Sequence, residues 1–205
     1  MNFVKTALPR DFIFEFQGDE DLVTNYYQEV VNSKKLKYKP ISNNIEYAYP
    51  ILKNDELINW MTSCLNEIGN LYFENVNLKI NDIWLIKSNF LSAGKPHVHS
   101  LSIFSGLLYL DNHETQTLFS VEDEFHKRYL EFYNIIFKNS NTHKLAVKPK
   151  VGKLIIWPSY LYHRIDAVKT KSIRYTLAFN SFFDGKVSDN PTTQLFLNTK
   201  NPDFI

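Results

Sequence analysis

About a third of the way along the chain, the spacing of apolar positions changes from the period of helices to that of strands. Before the change, a short apolar run from Phe12 to Phe16, interrupted by Glu15, predicts a strand that Gly18 and Asp19 end. Leu22, Val23, Tyr26, Tyr27, Val30 and Val31 then recur at helical spacing. Asp19, Glu20 and Asp21 lie at the end of this helix where its dipole favours negative charge. Pro40 to Pro50 reads as a polar, Tyr-containing connection. Asn54 can cap a second helix with Leu57, Met61, Cys64, Leu65, Ile68, Leu71 and Tyr72 on one face.

From Leu78 onward the runs are short and strand-like: Leu78 to Ile86, Leu101 to Leu110, Thr117 to Ser120, Leu145 to Val147, Leu154 to Trp157 and Ile173 to Phe182. Two helices followed by six to eight short strands predict a mainly β fold with flanking helices, an antiparallel barrel or jelly roll. One domain over 1–205 is expected, with 1–77 as support, 78–183 as the core and 184–205 as a tail. The segment 121–144 interrupts the strands, and Phe125, Tyr129, Phe132, Tyr133 and Ile136 give its first part a helical pattern. It reads equally as a lid or substrate wall and as a surface helix covering a sheet edge.

Charge adds mainly exclusions. Lys+Arg 23 against Asp+Glu 22 leave +1, with no block of one sign, so neither a nucleic-acid footprint nor an acidic tail is present. The single cysteine, Cys64, excludes an intramolecular disulfide framework and a Cys-rich zinc site. Its place in the apolar stripe of the second helix marks it as a small buried residue rather than a reactive thiol. The first residues lack the continuous apolar core of a signal peptide, and no run reaches the roughly 20 residues needed to cross a bilayer, so a soluble cytoplasmic protein is expected. Frequent Asn, Lys and Ile fit an AT-rich genome, a viral one among the candidates.

The chemistry begins with histidine. In KPHVHS, His97 and His99 are one residue apart, and on a strand both rings would share a face and clamp a metal ion. Two histidines at this spacing also arise by chance on polar strand surface. His163, in PSYLYHRI, is a third candidate ligand, because Pro158 and Ser159 end the preceding strand and let the chain return beside the first. Imidazole suits Fe, Zn, Cu and Ni alike, and three protein ligands leave positions open for chemistry. Further on, Arg174, Thr176, Ala178 and Asn180 face one way on a strand whose other face carries Tyr175, Leu177, Phe179 and Ser181. A guanidinium fork beside a hydroxyl is a receptor for a carboxylate. Arg174 taken alone reads as an exposed residue of an edge strand. His113, His126 and His143 read as solvated surface, Trp84 and Trp157 as core, and Lys87, Asn89 and Arg164 as facing either substrate or solvent.

Taken in order, PHVHS, SGLLYL, GKLIIWPSYLYHRI and IRYTLAFN resemble the Fe(II)/2-oxoglutarate-dependent oxygenases, especially their prolyl-hydroxylase-like and their phage and bacterial branches. The resemblance spans about half the chain, from Trp84 to Phe183. It implies a double-stranded β-helix (jelly-roll, cupin-like) core. It also implies a hydroxylase that decarboxylates 2-oxoglutarate to succinate while oxidising a C–H bond. By the same resemblance His97 and His163 bind iron, and Arg174 pairs with the C5 carboxylate of 2-oxoglutarate. Thr176 takes the neighbouring hydroxyl position, and Tyr109 donates its hydroxyl to the same carboxylate. Tyr109 shares odd numbering with Leu101, Ile103, Ser105 and Leu107, hence, on an unbroken strand, the face of His97 and His99; packing in the core is the competing reading.

The family usually carries Asp or Glu where this chain has His99, and the branch the chain most resembles shares the HxH form. His99 is therefore a third imidazole ligand, or it stands behind while Asp111, Glu122 or Asp123 supplies an oxygen, or the chain is an inactive binding module. The spacing favours the first. Two rival functions remain: a three-His cupin-type metalloenzyme that works without 2-oxoglutarate, against which Arg174 and Thr176 speak, and a non-catalytic jelly-roll assembly module. The expected substrate is a small molecule or a protein side chain. Nucleic acid is disfavoured, because no basic stripe is present.

Overall fold

The computed structural model describes residues 3–7, 12–42, 44–49, 54–74, 76–121, 143–187 and 195–197. The strands β1 (Val4–Ala7) and β2 (Phe12–Gln17) precede α1 (Glu20–Asn32). A hairpin of β3 (Lys39–Ser42) and β4 (Ile45–Ala48) leads to α2 (Asp55–Tyr72). The strands β5 (Asn77–Ser88), β6 (Phe104–Tyr109), β7 (Thr117–Val121), β8 (His143–Val147), β9 (Lys153–Pro158), β10 (Tyr162–Ile165), β11 (Arg174–Val187) and β12 (Leu195–Leu197) follow. The larger sheet runs β1-β2-β9-β6-β11-β5-β4-β3, with β12 added to β11, and the smaller runs β10-β7-β8. Every pairing between named strands is antiparallel. This is the mainly β, helix-flanked jelly roll that the pattern predicts.

Strict two-residue alternation sorts the larger sheet's side chains into two layers. Phe14, Leu108, Ile156, Leu177 and Phe179 point to the side where Val23, Tyr26 and Val30 of α1 and Met61, Cys64, Leu65 and Ile68 of α2 pack. Ile13, Leu107, Tyr109, Ile155, Trp157 and Ala178 point the other way, against Phe119 and Val147 of the smaller sheet. The helices begin as their sequences require: the Asp19 carboxylate accepts from the amides of Asp21 and Leu22, and the Asn54 side chain from Leu57, each cap being worth about 1 kcal/mol. Cys64 is fully buried, and burial pushes its thiol up to about 12, which makes it an inert packing residue.

Four features depart from the expected pattern. The Pro40 to Pro50 connection is a β-hairpin over its described part; all four residues of β3 are exposed, so no apolar alternation betrays an edge strand that tolerates Pro40. The strand expected from Leu101 begins only at Phe104, because Leu101 turns the chain at φ 55° and stands exposed. Leu71 and Tyr72, in the last turn of α2, leave its buried stripe: Leu71 is exposed, and Tyr72 stacks flat on Phe12 at 5.2 Å. Finally, β11 runs on to Val187 and pairs with β12, so the tail carries strand structure. The helical pattern from Phe125 to Ile136 lies outside the described residues, although the strands flanking that segment, β7 and β8, pair directly through Val121 and His143. No helix among the described residues is long and apolar enough to cross a membrane.

Gly106 shows how tightly β6 and β11 are joined. A Cβ there would lie 2.2 Å from a ring carbon of Phe179. Gly106→Ala therefore forces the ring or the strand aside and is expected to destabilise the protein by about 1 to 3 kcal/mol. A denaturant titration checks this, and unchanged stability would mean that the ring moves freely.

Candidate metal and carboxylate site

The three histidines meet at the junction of the two sheets. His97 is not in a strand; it forms an isolated antiparallel bridge with His163 of β10, each backbone amide bonding the other's carbonyl at 3.1 Å. The His99 amide bonds the Ser159 carbonyl at 3.0 Å. Backbone pairing with the 159–163 segment, rather than the alternation of one continuous strand, thus brings the rings together. Their ligand nitrogens all lie within 4.8 Å of one another. His99 Nε2 and His163 Nε2 are 3.2 Å apart, close to the roughly 3.0 Å separating two nitrogens that bind one ion at about 2.1 Å and right angles.

Hydrogen bonds set which nitrogens are available. His97 Nδ1 lies 2.9 Å from the Lys95 carbonyl and His163 Nδ1 3.1 Å from the Leu161 carbonyl. A carbonyl only accepts, so both Nδ1 atoms carry protons and both Nε2 lone pairs point into the cluster. Asn180 holds His99 by a side-chain hydrogen bond and itself accepts from Ser105 at 2.9 Å. Ser105 in turn meets Ser159, and Ser159 donates to Ser102, a buried hydroxyl chain beneath the ring. Among the described residues no carboxylate joins the three histidines; Asp111 instead accepts from the Tyr175 amide, while Glu122 and Asp123 lie outside the described residues.

Arg174 is the second centre. It is 0% exposed, on a strand held between β5 and β6, which overturns its reading as an exposed edge residue. Its Nη2 donates to the Thr117 hydroxyl at 3.1 Å and its guanidinium sits 5.3 Å above the Tyr109 ring. Among the described residues its Nε and Nη1, and the buried hydroxyl of Thr176, have no partner. Among the described residues no carboxylate pairs with it; Asp111 and Tyr109 support its charge against the burial that pushes its pKa down. An unpaired guanidinium in an apolar layer costs several kcal/mol. Thr117 accepts from both Tyr109 and Arg174, which leaves its own proton free to donate. The set therefore fits an incoming carboxylate.

A cavity of about 410 Å³ has a lining that includes the three histidines, Trp84, Trp157, Ile45 and Thr117. The site thus carries a metal-type triad on the wall of an apolar chamber, and the chamber reaches the buried carboxylate receptor through Thr117, the hydroxyl that accepts from Arg174.

A family model described as "Putative 2OG-Fe(II) oxygenase" matches residues 82–180, just under half of the chain. The chain carries a 2OG-Fe(II) oxygenase domain. No curated protein matches the sequence. Solved structures show the same fold at low identity. The non-haem α-ketoglutarate-dependent epimerase SnoN from nogalamycin biosynthesis aligns at TM-score 0.61 and 13% identity over 95% of this chain and 84% of its own. HygX from Streptomyces hygroscopicus, with nickel and 2-oxoglutarate bound, aligns at 0.59 and 12% over 85% and 87%. A Pseudomonas putida prolyl-4-hydroxylase aligns at 0.56 and 13% over 82% and 91%.

In this oxygenase some site residues escape a linear reading. Trp157 is buried in the core and Trp84 packs against it, as expected, but Trp84 also stacks on His99 at 5.8 Å and Trp157 meets His163 at 4.8 Å, so both are walls of the site as well. Ile41, Ser42 and Ile45 reach the cavity from the overlooked hairpin. Thr117 opens a strand and carries no motif. Arg164 lines the cavity, whereas Lys87 is bound to Glu46 at 2.9 Å. His113, read as solvated surface, is half-buried: its ring accepts from the Thr115 amide and lies within hydrogen-bond reach of Thr170 and Ser172.

Burial, with His97 nearby, lowers the His99 pKa to about 4 and that of His163 to about 3. The unfolded chain takes these protons near pH 6.5, while the folded metal-free oxygenase refuses them until about pH 4 and 3. Stability is therefore expected to be level with respect to these groups above pH 6.5. It should then fall as the pH drops from 6.5 toward 3, by at most about 1.4 kcal/mol per pH unit for each group, less where solvent reaches His99. Urea unfolding across this range tests the point, and stability that rises on acidification would contradict it.

Proposed function

We propose that His97, His99 and His163 hold Fe(II), and that Arg174, Thr176 and Thr117 hold the C5 carboxylate of 2-oxoglutarate, with Tyr109 acting behind Thr117 because its hydroxyl donates there rather than to the carboxylate. When bound, the iron and 2-oxoglutarate supply the family's oxidising chemistry, in which oxidation of a substrate C–H bond is coupled to decarboxylation of 2-oxoglutarate to succinate. The observation that carries this reading is Arg174: a fully buried cation with two nitrogens unpaired among the described residues, bonded to Thr117 on the wall of the cavity that the three histidines also line.

The chain's own residues do four things. The Lys95 and Leu161 carbonyls fix the tautomers that turn Nε2 of His97 and His163 inward. The bridge between His97 and β10 sets the spacing of those two rings. Tyr109, its hydroxyl spent on Thr117, orients the Thr117 hydroxyl and supports the guanidinium with its ring. The apolar walls keep water from the reacting centre and accept the carbon frame of a small molecule or a protein side chain. A three-histidine enzyme without 2-oxoglutarate would leave Arg174 with nothing to bind. With imidazole in place of the usual carboxylate, the ligand set is neutral, so the bound metal keeps its full positive charge toward an anionic cosubstrate.

The test compares 2-oxoglutarate with 2-oxopentanoate, which has the same five carbons and no distal carboxylate. With Fe(II) present and oxygen absent, 2-oxoglutarate should raise the melting temperature while 2-oxopentanoate at equal concentration does not. Equal stabilisation by both would remove the role assigned to Arg174.

A further inference from the structure

Beyond His99 the cavity continues into a more open groove of about 310 Å³ between the β3–β4 hairpin and β5. Asp82, Trp84 and Ile86 share one face of β5, and their register with Asn180, Ala178 and Thr176 puts that face beside the site face of β11. Tyr47 and Tyr49 come from the hairpin and its exit, with their rings edge to face at 5.8 Å and 85°. Trp84 stacks on His99 and so joins the groove to the histidine cluster. Three aromatic rings and one carboxylate thus line a space that opens onto the proposed metal site.

Among the described residues Asp82 has no counter-charge. It is half-buried, and loss of water raises its pKa against a backbone hydrogen bond at Ile83. It lies near enough to Tyr49 to be the main cause of that phenol's raised pKa. Among the described residues no cation pairs with it: Lys87 is bound to Glu46 at 2.9 Å, and Arg164 leans to Asp166 at 3.9 Å. Lys39, cross-strand from Tyr47, is exposed and lines neither cavity nor groove. A partly desolvated carboxylate among aromatic faces is the environment that an alkylammonium completes, its charge toward the acid and its carbon shell against the rings.

We propose that this groove is the substrate subsite of the oxygenase and that it selects a cationic amine, with Asp82 taking the ammonium and Tyr47, Tyr49 and Trp84 enclosing it. The amine is thereby anchored on the His99 side, and the rest of the molecule extends toward the histidine cluster. The substrate role rests on the oxygenase reading; the binding preference does not.

The probe is choline against 3,3-dimethylbutan-1-ol, the same shape with carbon in place of nitrogen, titrated anaerobically into the full chain with Fe(II) and 2-oxoglutarate present and followed by tryptophan fluorescence. Choline is expected to bind about tenfold or more tightly than the alcohol. Asp82→Asn should abolish that preference, and Tyr49→Leu, at a half-exposed position, should reduce it severalfold. Equal affinity for the two probes, or a preference that survives Asp82→Asn, would overturn the proposal. The visible band of the iron–2-oxoglutarate chelate, read in the same samples, separates the two ideas. A band without a choline preference defeats the amine subsite alone, whereas a choline preference without the band upholds the subsite's chemistry and defeats the oxygenase reading.

Discussion

Arg174→Leu should abolish the response to 2-oxoglutarate and at the same time make the metal-free protein more stable. The two effects have one cause. Arg174 is fully buried, with a single hydrogen bond from Nη2 and two unpaired nitrogens. Without a carboxylate, the folded protein carries the desolvation cost of that charge; leucine removes the cost and keeps much of the volume, for a gain of about 1 to 3 kcal/mol. With the carboxylate present, the same guanidinium is the principal receptor, and its loss should weaken 2-oxoglutarate by about 100- to 1,000-fold, the equivalent of roughly 3 to 4 kcal/mol. Chemical denaturation of the apo protein and a 2-oxoglutarate titration of the Fe(II) form read the two halves separately. Lower apo stability together with unchanged 2-oxoglutarate affinity would show that Arg174 is a structural residue.

The second large effect is at His99. If its imidazole is the third ligand, His99→Ala should lower divalent-metal affinity by at least about 100-fold, beyond what loss of an outer hydrogen bond causes. His99→Asp restores an oxygen ligand at the same place and should keep the metal bound. Its added negative charge would strengthen the hold on a cation and oppose the incoming 2-oxoglutarate dianion. Unchanged metal affinity in His99→Ala would place His99 outside the coordination sphere, and the 3.2 Å contact with His163 would then be an ordinary imidazole hydrogen bond.

Much of this site was legible because β11 keeps a strict period of two: Arg174, Thr176, Ala178 and Asn180 belong to the site side while Tyr175, Leu177 and Phe179 pack toward the helices. The helical stripes of α1 and α2 were readable for the same reason, up to the last turn of α2. The convergence of His97, His99 and His163 was also expected, although by a different route. Parity puts Tyr109 on the face of His97 and His99 only if the strand is unbroken, but Leu101 turns the chain, and Tyr109 reaches the inter-sheet layer through β6 alone. Other parts leave no linear trace. An edge hairpin with exposed residues has no apolar alternation, so the wall formed by Ile41 and Ile45 was read as a connection. Trp157 is the core residue the pattern predicts, and half-buried Trp84 packs against the same cluster, but nothing linear shows that both rings also line the chamber. Thr117 becomes visible only when the side chains of Tyr109 and Arg174, from two other strands, meet at its hydroxyl.

The most direct test of the central claim is an anaerobic titration of the full chain with Fe(II) and then 2-oxoglutarate, watching the weak visible charge-transfer band of the chelate, with Arg174→Leu and His99→Ala in parallel. The account predicts a band that needs 2-oxoglutarate and that both variants lose, Arg174→Leu through the cosubstrate and His99→Ala through the metal. Iron binding with no response to 2-oxoglutarate in the unaltered protein would contradict it.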